Sequence, residues 1–388
     1  MRAKTIVLCN KIIDIGLIVF VLSVPLSISG TEIGFYTAFL AWIIMMVIKK
    51  EVKIPSTPLD LPIIFFWLIS FIAIAFSVKP LTSITMLQKL PYFFLPYLMV
   101  NNIKDEKKLL MLLQLLVIST TITASFGIFN YLNGAARAYS SIGNHYILEI
   151  NTLAAFLLMI FPFAIVLLIY KKSLWLKTIN GFMAIIIMSS IILTYSRSTY
   201  LGMAGIAIIG FFVKKIRYMS LALLCLMIIL FLSSTEFHSK IKNMSCDGQE
   251  RLYMWQIGWQ IFKDHPLTGV GPYCIEIEYP KYMNSYAKSK WRIWNSLHNN
   301  FIQEMATKGI GGLISFLYLL GAYFLTCATA YKKSTSNDQK GIILGCMAGW
   351  IVFIIEGCFE PIFFFWPWFF IMGVCLVIKN LCFAQEQD

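Results

Sequence analysis

The chain has 388 residues, 59% of them hydrophobic and only 13% charged, with a formal net charge of +13. A soluble domain is about 45–50% apolar and about 25% charged, so this chain has too little polar surface to cover its core in water and calls for lipid as solvent. Its Lys and Arg are scattered in short segments between apolar runs, which reads as membrane topology and not as a nucleic-acid-binding face.

Apolar runs occur at 12–29, 33–48, 61–77, 82–100, 109–132, 151–170, 178–194, 199–213, 218–233, 300–330, 341–356 and 361–379. A helix crosses a ~30 Å hydrocarbon core in about 20 residues, so the expected fold is an all-α polytopic membrane protein of about twelve transmembrane helices. The shorter runs need polar flanks or local thinning. The basic start Met1–Lys11 precedes a run too long for a signal-peptide core and without a small-residue cleavage site, so it reads as the flank of the first span. Lys49, Lys50 and Lys53 follow the second span, and Lys104, Lys107 and Lys108 the fourth. Lys171, Lys172 and Lys177, then Lys214, Lys215 and Arg217, then Lys332, Lys333 and Lys340 continue the same alternation. The short loops on the other side hold only Lys79, Arg137 and Arg197. The positive-inside bias therefore predicts cytoplasmic termini and one large periplasmic loop. The expected organisation is spans one to nine over 1–233, the loop over 234–299, and spans ten to twelve with a cytoplasmic tail over 300–388.

Within the loop, Asp247-Gly-Gln-Glu250 has the form of a capping box, predicting a helix over Glu250–Asp264 stopped by Pro266 and Gly269. Leu252, Trp255, Trp259 and Phe262 fall near one face, suited to the headgroup level of a membrane. The following Leu-Thr-Gly-Val-Gly-Pro needs a tight backbone path but lacks the ending of a phosphate loop. The nine cysteines show no metal-ligand spacing, so neither a metal nor a cofactor is expected. Cys246 and Cys274 both lie in the loop, where a disulfide is permitted.

Charges at membrane depth are functional candidates. Arg197, in Thr-Tyr-Ser-Arg-Ser-Thr-Tyr, is the one charge between Lys177 and Lys214. It reads either as a snorkelling helix-end residue or as an anion ligand. Arg251 in the expected first turn of the loop helix opposes the helix dipole, so an anion or a salt bridge to Glu250 or Asp247 should offset it. His298, where the loop re-enters the membrane among Asn295, Asn299 and Asn300, is placed to act as a general base. The histidines at 145, 238 and 265 lack such a setting and read as structural. Lys89 falls inside the fourth span, and Glu356 and Glu360 close the eleventh, where either could orient the histidine or an arginine. Several cations and a histidine without metal ligands suit a substrate that carries its own leaving group, such as a lipid-linked diphosphate.

Thr-Tyr-Ser-Arg-Ser at 194–198 resembles the Thr-x-Ser/Thr-Arg segment of the bacterial O-antigen ligase family and its polymerase relatives. Arg251–Trp259 followed by Pro266–Pro272 resembles the start of their large periplasmic loop, and Leu297–Glu304 running into Gly309-Ile-Gly-Gly resembles its end. The resemblance implies a GT-C-like membrane glycosyltransferase of the inner membrane, independent of metal. Such an enzyme moves glycan from an undecaprenyl-diphosphate donor to a lipid A–core acceptor, with inversion. It further implies His298 as the catalytic base or acceptor-orienting group. Arg197, Arg251 and, by a weaker match, Lys89 would bind the diphosphate, with Glu356 and Asn299 supporting. Ser296 stands where some relatives carry a second histidine. A polymerase uses the same donor with a second lipid-linked glycan as acceptor. The alternative outside enzymes is a flippase or transporter, which would show charges at mid-membrane and an internal repeat.

Overall fold

The computed structural model describes residues 2–51, 54–142, 146–148, 150–170, 173–211, 217–218, 220–222, 224–225, 245–291, 293–363 and 366–385. In chain order these form α1 (Arg2–Ser23), α2 (Ile28–Lys49), α3 (Asp60–Ala75), α4 (Pro80–Ser83), a 3-10 segment (Ile84–Phe93), α5 (Phe94–Asn102) and α6 (Glu106–Leu132). A small antiparallel hairpin, β1 (Ser140–Ile142) and β2 (Tyr146–Leu148), leads to α7 (Ile150–Tyr170), α8 (Leu174–Leu193) and α9 (Arg197–Phe211). The large loop contributes α10 (Ser245–Asp264), α11 (Ile275–Tyr282) and α12 (Ser285–Lys290), and the chain closes with α13 (Asn300–Lys333), α14 (Asn337–Gly357) and α15 (Trp366–Gln385).

Among the described residues seven helices are long and apolar enough to cross a membrane: α1, α2, α6, α7, α8, α13 and α14. The other expected spans fall on shorter helices or on residues outside the described set. The run 61–77 gives the 16-residue α3, and the described part of the run 199–213 is α9, after which residues 212–216 lie outside the described set. The apolar part of α15 is described over Trp366–Cys382, with residues 364 and 365 before it outside the described set. Most of 218–233, the start of the loop at 234–244 and His238 lie outside the described residues, as does His145. The run 82–100 is not one α-helix: it winds as 3-10 over Ile84–Phe93 with Pro91 inside, then as the nine-residue α5. A 3-10 helix rises about 2.0 Å per residue against 1.5 Å for α, so the pair still covers on the order of 30 Å when in line. Lys89 therefore stands on a 3-10 segment, not within a regular span.

The centre of the bundle is α7, 78% of whose apolar window is buried, against α6, α8, α9 and α14. The loop packs on α13 through a small core of its own, in which Met254, Ile257 and Ile261 meet Leu297 and Ala306. Each of the buried Met, Ile and Leu side chains contributes about 1.5–3 kcal/mol. Leu252 and Trp259, on the face expected at the headgroup level, stay outside this core and are 56% and 49% exposed, while Met254, Ile257 and Ile261 form the face that docks. Helix α10 is already formed at Ser245, the first described residue of the loop and five residues before Glu250, and Asp247's side chain lies outside the described set. The Cys246 side chain does too, but Cys274 is a free buried thiol 3.3 Å from the hydroxyls of Ser77 and Ser83.

Helix α13 is broken at Gly309, where φ is 66° and ψ −163°. The turn 266–271 crosses this break as a backbone brace: Val270 N donates to Ala306 O, Gly271 N to Thr307 O, and Ile310 N to Pro266 O. A Cβ on Gly269 would come within 2.3 Å of the Thr307 carbonyl carbon, and one on Gly309 within 2.3 Å of Leu267 O. Contact this close, at positive φ, explains why the tight backbone path needs glycine. Ser77 and Ser83 hold the other side through Val270 O and Pro272 O, tying the loop to the region between α3 and α4.

Candidate active site

His298 sits at the end of the loop with φ 46°, a conformation sparsely adopted by non-glycine residues. Both neighbours hold it there. Leu297 is fully buried and its N–H donates to Gln303 Oε1 at 2.8 Å. Asn299 caps α13 by accepting from the N–H groups of Phe301 and Ile302, and its Nδ2 donates to Cys358 O at 3.1 Å. That last bond anchors the histidine to the turn after α14. Trp294 meets the imidazole edge-on at 4.8 Å and donates Nε1–H to Glu250.

The turn after α14 presents Glu360, and this carboxylate is the hub of the site. Its Oε2 pairs with His298 Nδ1 at 3.0 Å, while its Oε1 accepts from Arg251 at 2.7 Å and from Asn151 Nδ2 at 2.8 Å. Burial alone would raise the Glu360 carboxyl. The hydrogen bond and charge of His298, the Arg251 charge and the Asn151 bond outweigh it and hold the carboxyl below the usual carboxylate range. A carboxylate accepting from Nδ1–H fixes the tautomer that leaves the lone pair on Nε2. Asn151 Oδ1 in turn accepts from Ser196 Oγ at 3.3 Å, which joins the α8–α9 turn to the same network.

The sequence-derived candidates divide accordingly. His298 and Arg251 meet on one carboxylate, and Asn299 buttresses them. Arg251 lies in the second turn of α10, not the first, so its partner Glu360 accounts for its position and the dipole argument falls away. Arg197 is exposed at the first position of α9, next to the Ser196 that reaches Asn151. Lys89 is elsewhere: its Nζ bonds Tyr92 Oη at 3.0 Å, and Tyr92 donates to Glu32. Glu356 does not orient the histidine. It is fully buried one turn earlier, beside Gly202 of α9, while Glu360 takes that part. Asn151 and Ser196 were not singled out from sequence. The signal for Asn151 was a polar residue opening the most apolar span.

A cavity of about 890 Å³ opens beside the hub, between the loop, the turn after α14 and one face of α13. His298 and Glu360 form one part of its wall, and Asn300, Gln303, Glu304, Thr307 and Lys308 form another. These last five recur at helical spacing, so they share a face. Neither Arg251 nor Arg197 lines it. Among the described residues no group of three metal-ligating side chains occurs.

Fold and site together define a multi-pass membrane protein whose polar centre forms where a folded loop meets the ends of its spans. Residues 182–317 match the family described as O-antigen ligase, and this match supports the O-antigen ligase family for that stretch. The match supports a function of the O-antigen ligase/polymerase type, that of a membrane glycosyltransferase-like enzyme. No protein among those with curated descriptions matches the chain. The matched stretch takes in Arg197, Arg251 and His298, whereas Asn151 and Glu360 lie outside it.

Proposed function

We propose that the chain is an O-antigen ligase of the bacterial inner membrane, working at the periplasmic face with its termini in the cytoplasm. It would transfer glycan from undecaprenyl diphosphate to lipid A–core. The observation that carries this reading is the Glu360 hub, which holds a histidine and an arginine on one buried carboxylate. One of Arg251's five N–H donors is engaged there, leaving the rest of the fork for a diphosphate. Arg197, exposed near the same network, is a second cation for it.

In the step itself, an acceptor hydroxyl oxygen attacks the anomeric carbon of the donor sugar. The bond from that carbon to the phosphate oxygen breaks, and its electron pair leaves with the diphosphate. The hydroxyl proton passes to Nε2 of His298, and Glu360 stabilises the imidazolium formed. The arginines balance the charge that grows on the leaving group, and attack from the opposite face inverts the anomeric carbon. None of these tasks requires a metal. The large loop, 234–299, serves as the lid of the site, and the expected GT-C-like arrangement of about twelve spans belongs to the same proposal. Lys89, set beside Tyr92 and Glu32, would act on donor groups farther from the reacting centre.

The test is reconstitution of the purified protein with a defined undecaprenyl-diphosphate glycan and, in separate arms, lipid A–core or a second lipid-linked glycan. Transfer to lipid A–core that persists in chelator and is lost in His298→Ala supports the ligase. Extension of the second carrier instead makes the protein a polymerase, and turnover in His298→Ala equal to wild type removes the histidine from the mechanism.

A further inference from the structure

The cavity carries a buried pair that the reaction above does not use. Glu304 and Lys308 are 5% and 2% exposed, their charged groups are paired, and both line the cavity wall. Lys308 also rests over the Phe66 ring at 4.1 Å. The ion pair is i,i+4 within one helix, so the pairing itself bridges no two elements, and burying two charges costs desolvation that their attraction barely offsets. Charges kept at such depth on a cavity wall suit a ligand.

Position says which ligand. Arg251 and Asn151, bonded to Glu360 Oε1, make a cationic side of the hub that does not line the cavity, whereas the cavity side holds no unbalanced cation among its described residues. An anionic diphosphate is suited to the first side and a neutral, hydroxyl-rich group to the second. Along α13 the pair begins one turn below Asn300 and ends about 12 Å below it, at a distance from His298 suited to a chain of sugar residues. An ammonium offers donors and a carboxylate offers acceptors, so together they complement two adjacent hydroxyls of one sugar ring. Trp294 and Tyr273, on the same walls, provide apolar faces for the ring carbons.

We propose that Glu304 and Lys308 form an acceptor-recognition point that binds adjacent hydroxyls of a pyranose and so delivers another hydroxyl of the acceptor glycan to His298; this rests on the glycosyl-transfer reading above. The pair binds and positions and does not touch the reacting atoms.

The experiment uses the full chain in nanodiscs. Acceptor and donor KM are measured separately for wild type, Glu304→Gln, Lys308→Met and Lys308→Arg, with lipid A–core in one arm and a second lipid-linked glycan in the other. Equilibrium binding of each acceptor is measured without donor. The expected result is a rise in acceptor KM and acceptor Kd of roughly ten- to a hundredfold in the charge-removing variants, as for loss of a hydrogen bond to a charged group. Donor KM should hold at its wild-type value, and Lys308→Arg should recover most of the acceptor affinity. The arm that shows the shift identifies which glycan carries the hydroxyls. Unchanged acceptor affinity in folded variants, or an equal rise in both KM values, overturns the proposal. Should the charge variants fail to fold, Thr307→Val on the same wall must still weaken acceptor binding; wild-type affinity there overturns the proposal equally. A wild-type protein that transfers to neither acceptor sinks the glycosyl-transfer reading instead, and donor-free binding still decides the pair.

Discussion

Replacing Glu360 by Gln keeps the size of the side chain and removes its charge. In the native site that carboxylate accepts from Arg251 at 2.7 Å, His298 at 3.0 Å and Asn151 at 2.8 Å, with only 10% of its side chain exposed. Breaking a fully buried pair costs about 3–5 kcal/mol, but the Arg251 side chain keeps 24% of its exposure and can recover some hydration. An amide also still accepts one hydrogen bond, so a loss of about 1.5–3 kcal/mol is the reasonable range, set by one charge-assisted bond. Expressed in transition-state stabilisation this is roughly a ten- to hundredfold fall in rate, because the imidazolium formed on His298 loses its counter-charge. Single-turnover transfer from a defined lipid-linked glycan, with donor and acceptor saturating, measures it directly. Wild-type turnover in Glu360→Gln would refute the hub, and a larger loss in Glu356→Gln would reassign its role to the other carboxylate.

Three further outcomes are expected. Arg251→Lys should lower transfer about tenfold or more, since an ammonium keeps the charge but not the planar fork that spans Glu360 and a diphosphate; transfer kinetics with donor varied would show it. Gly309→Ala should lower the thermal midpoint, because a Cβ there meets Leu267 O at 2.3 Å at φ 66°. Gly134→Ala, also at positive φ but with nothing within 4 Å, should cost only about 1 kcal/mol of backbone strain. The pH dependence follows from Glu360, whose folded carboxyl lies below its ordinary value. Its contribution to loop docking is therefore complete above about pH 4.3, the unfolded carboxylate value, and is lost as pH falls through the lower folded value. Limited proteolysis of the loop should show a wild-type advantage over Glu360→Gln that is constant at neutral pH and vanishes in acid.

Apolar runs and the charges between them were enough to read an all-helical membrane protein with one large polar loop, because lipid and water partition side chains without regard to tertiary detail. The glycines of the 266–272 turn were legible for a similar reason: a backbone that must approach another backbone leaves no room for a Cβ. His298 stood out because an imidazole flanked by asparagines at a loop end is unusual in so apolar a chain. Helix lengths were less legible, since hydropathy does not distinguish a regular α-helix from the 3-10 winding at 84–93 or foresee the break at Gly309. The site depended still more on tertiary structure. Glu356 and Glu360 are both carboxylates near one helix end, and only the geometry of the turn after α14 turns the second toward His298 and Arg251. Asn151 joins that carboxylate from 209 positions away in the chain, a separation that no local pattern encodes. The periodicity that makes an amphipathic loop helix was visible in the sequence; which of its faces packs was decided by α13, against which Met254, Ile257 and Ile261 fit and Leu252 and Trp259 do not.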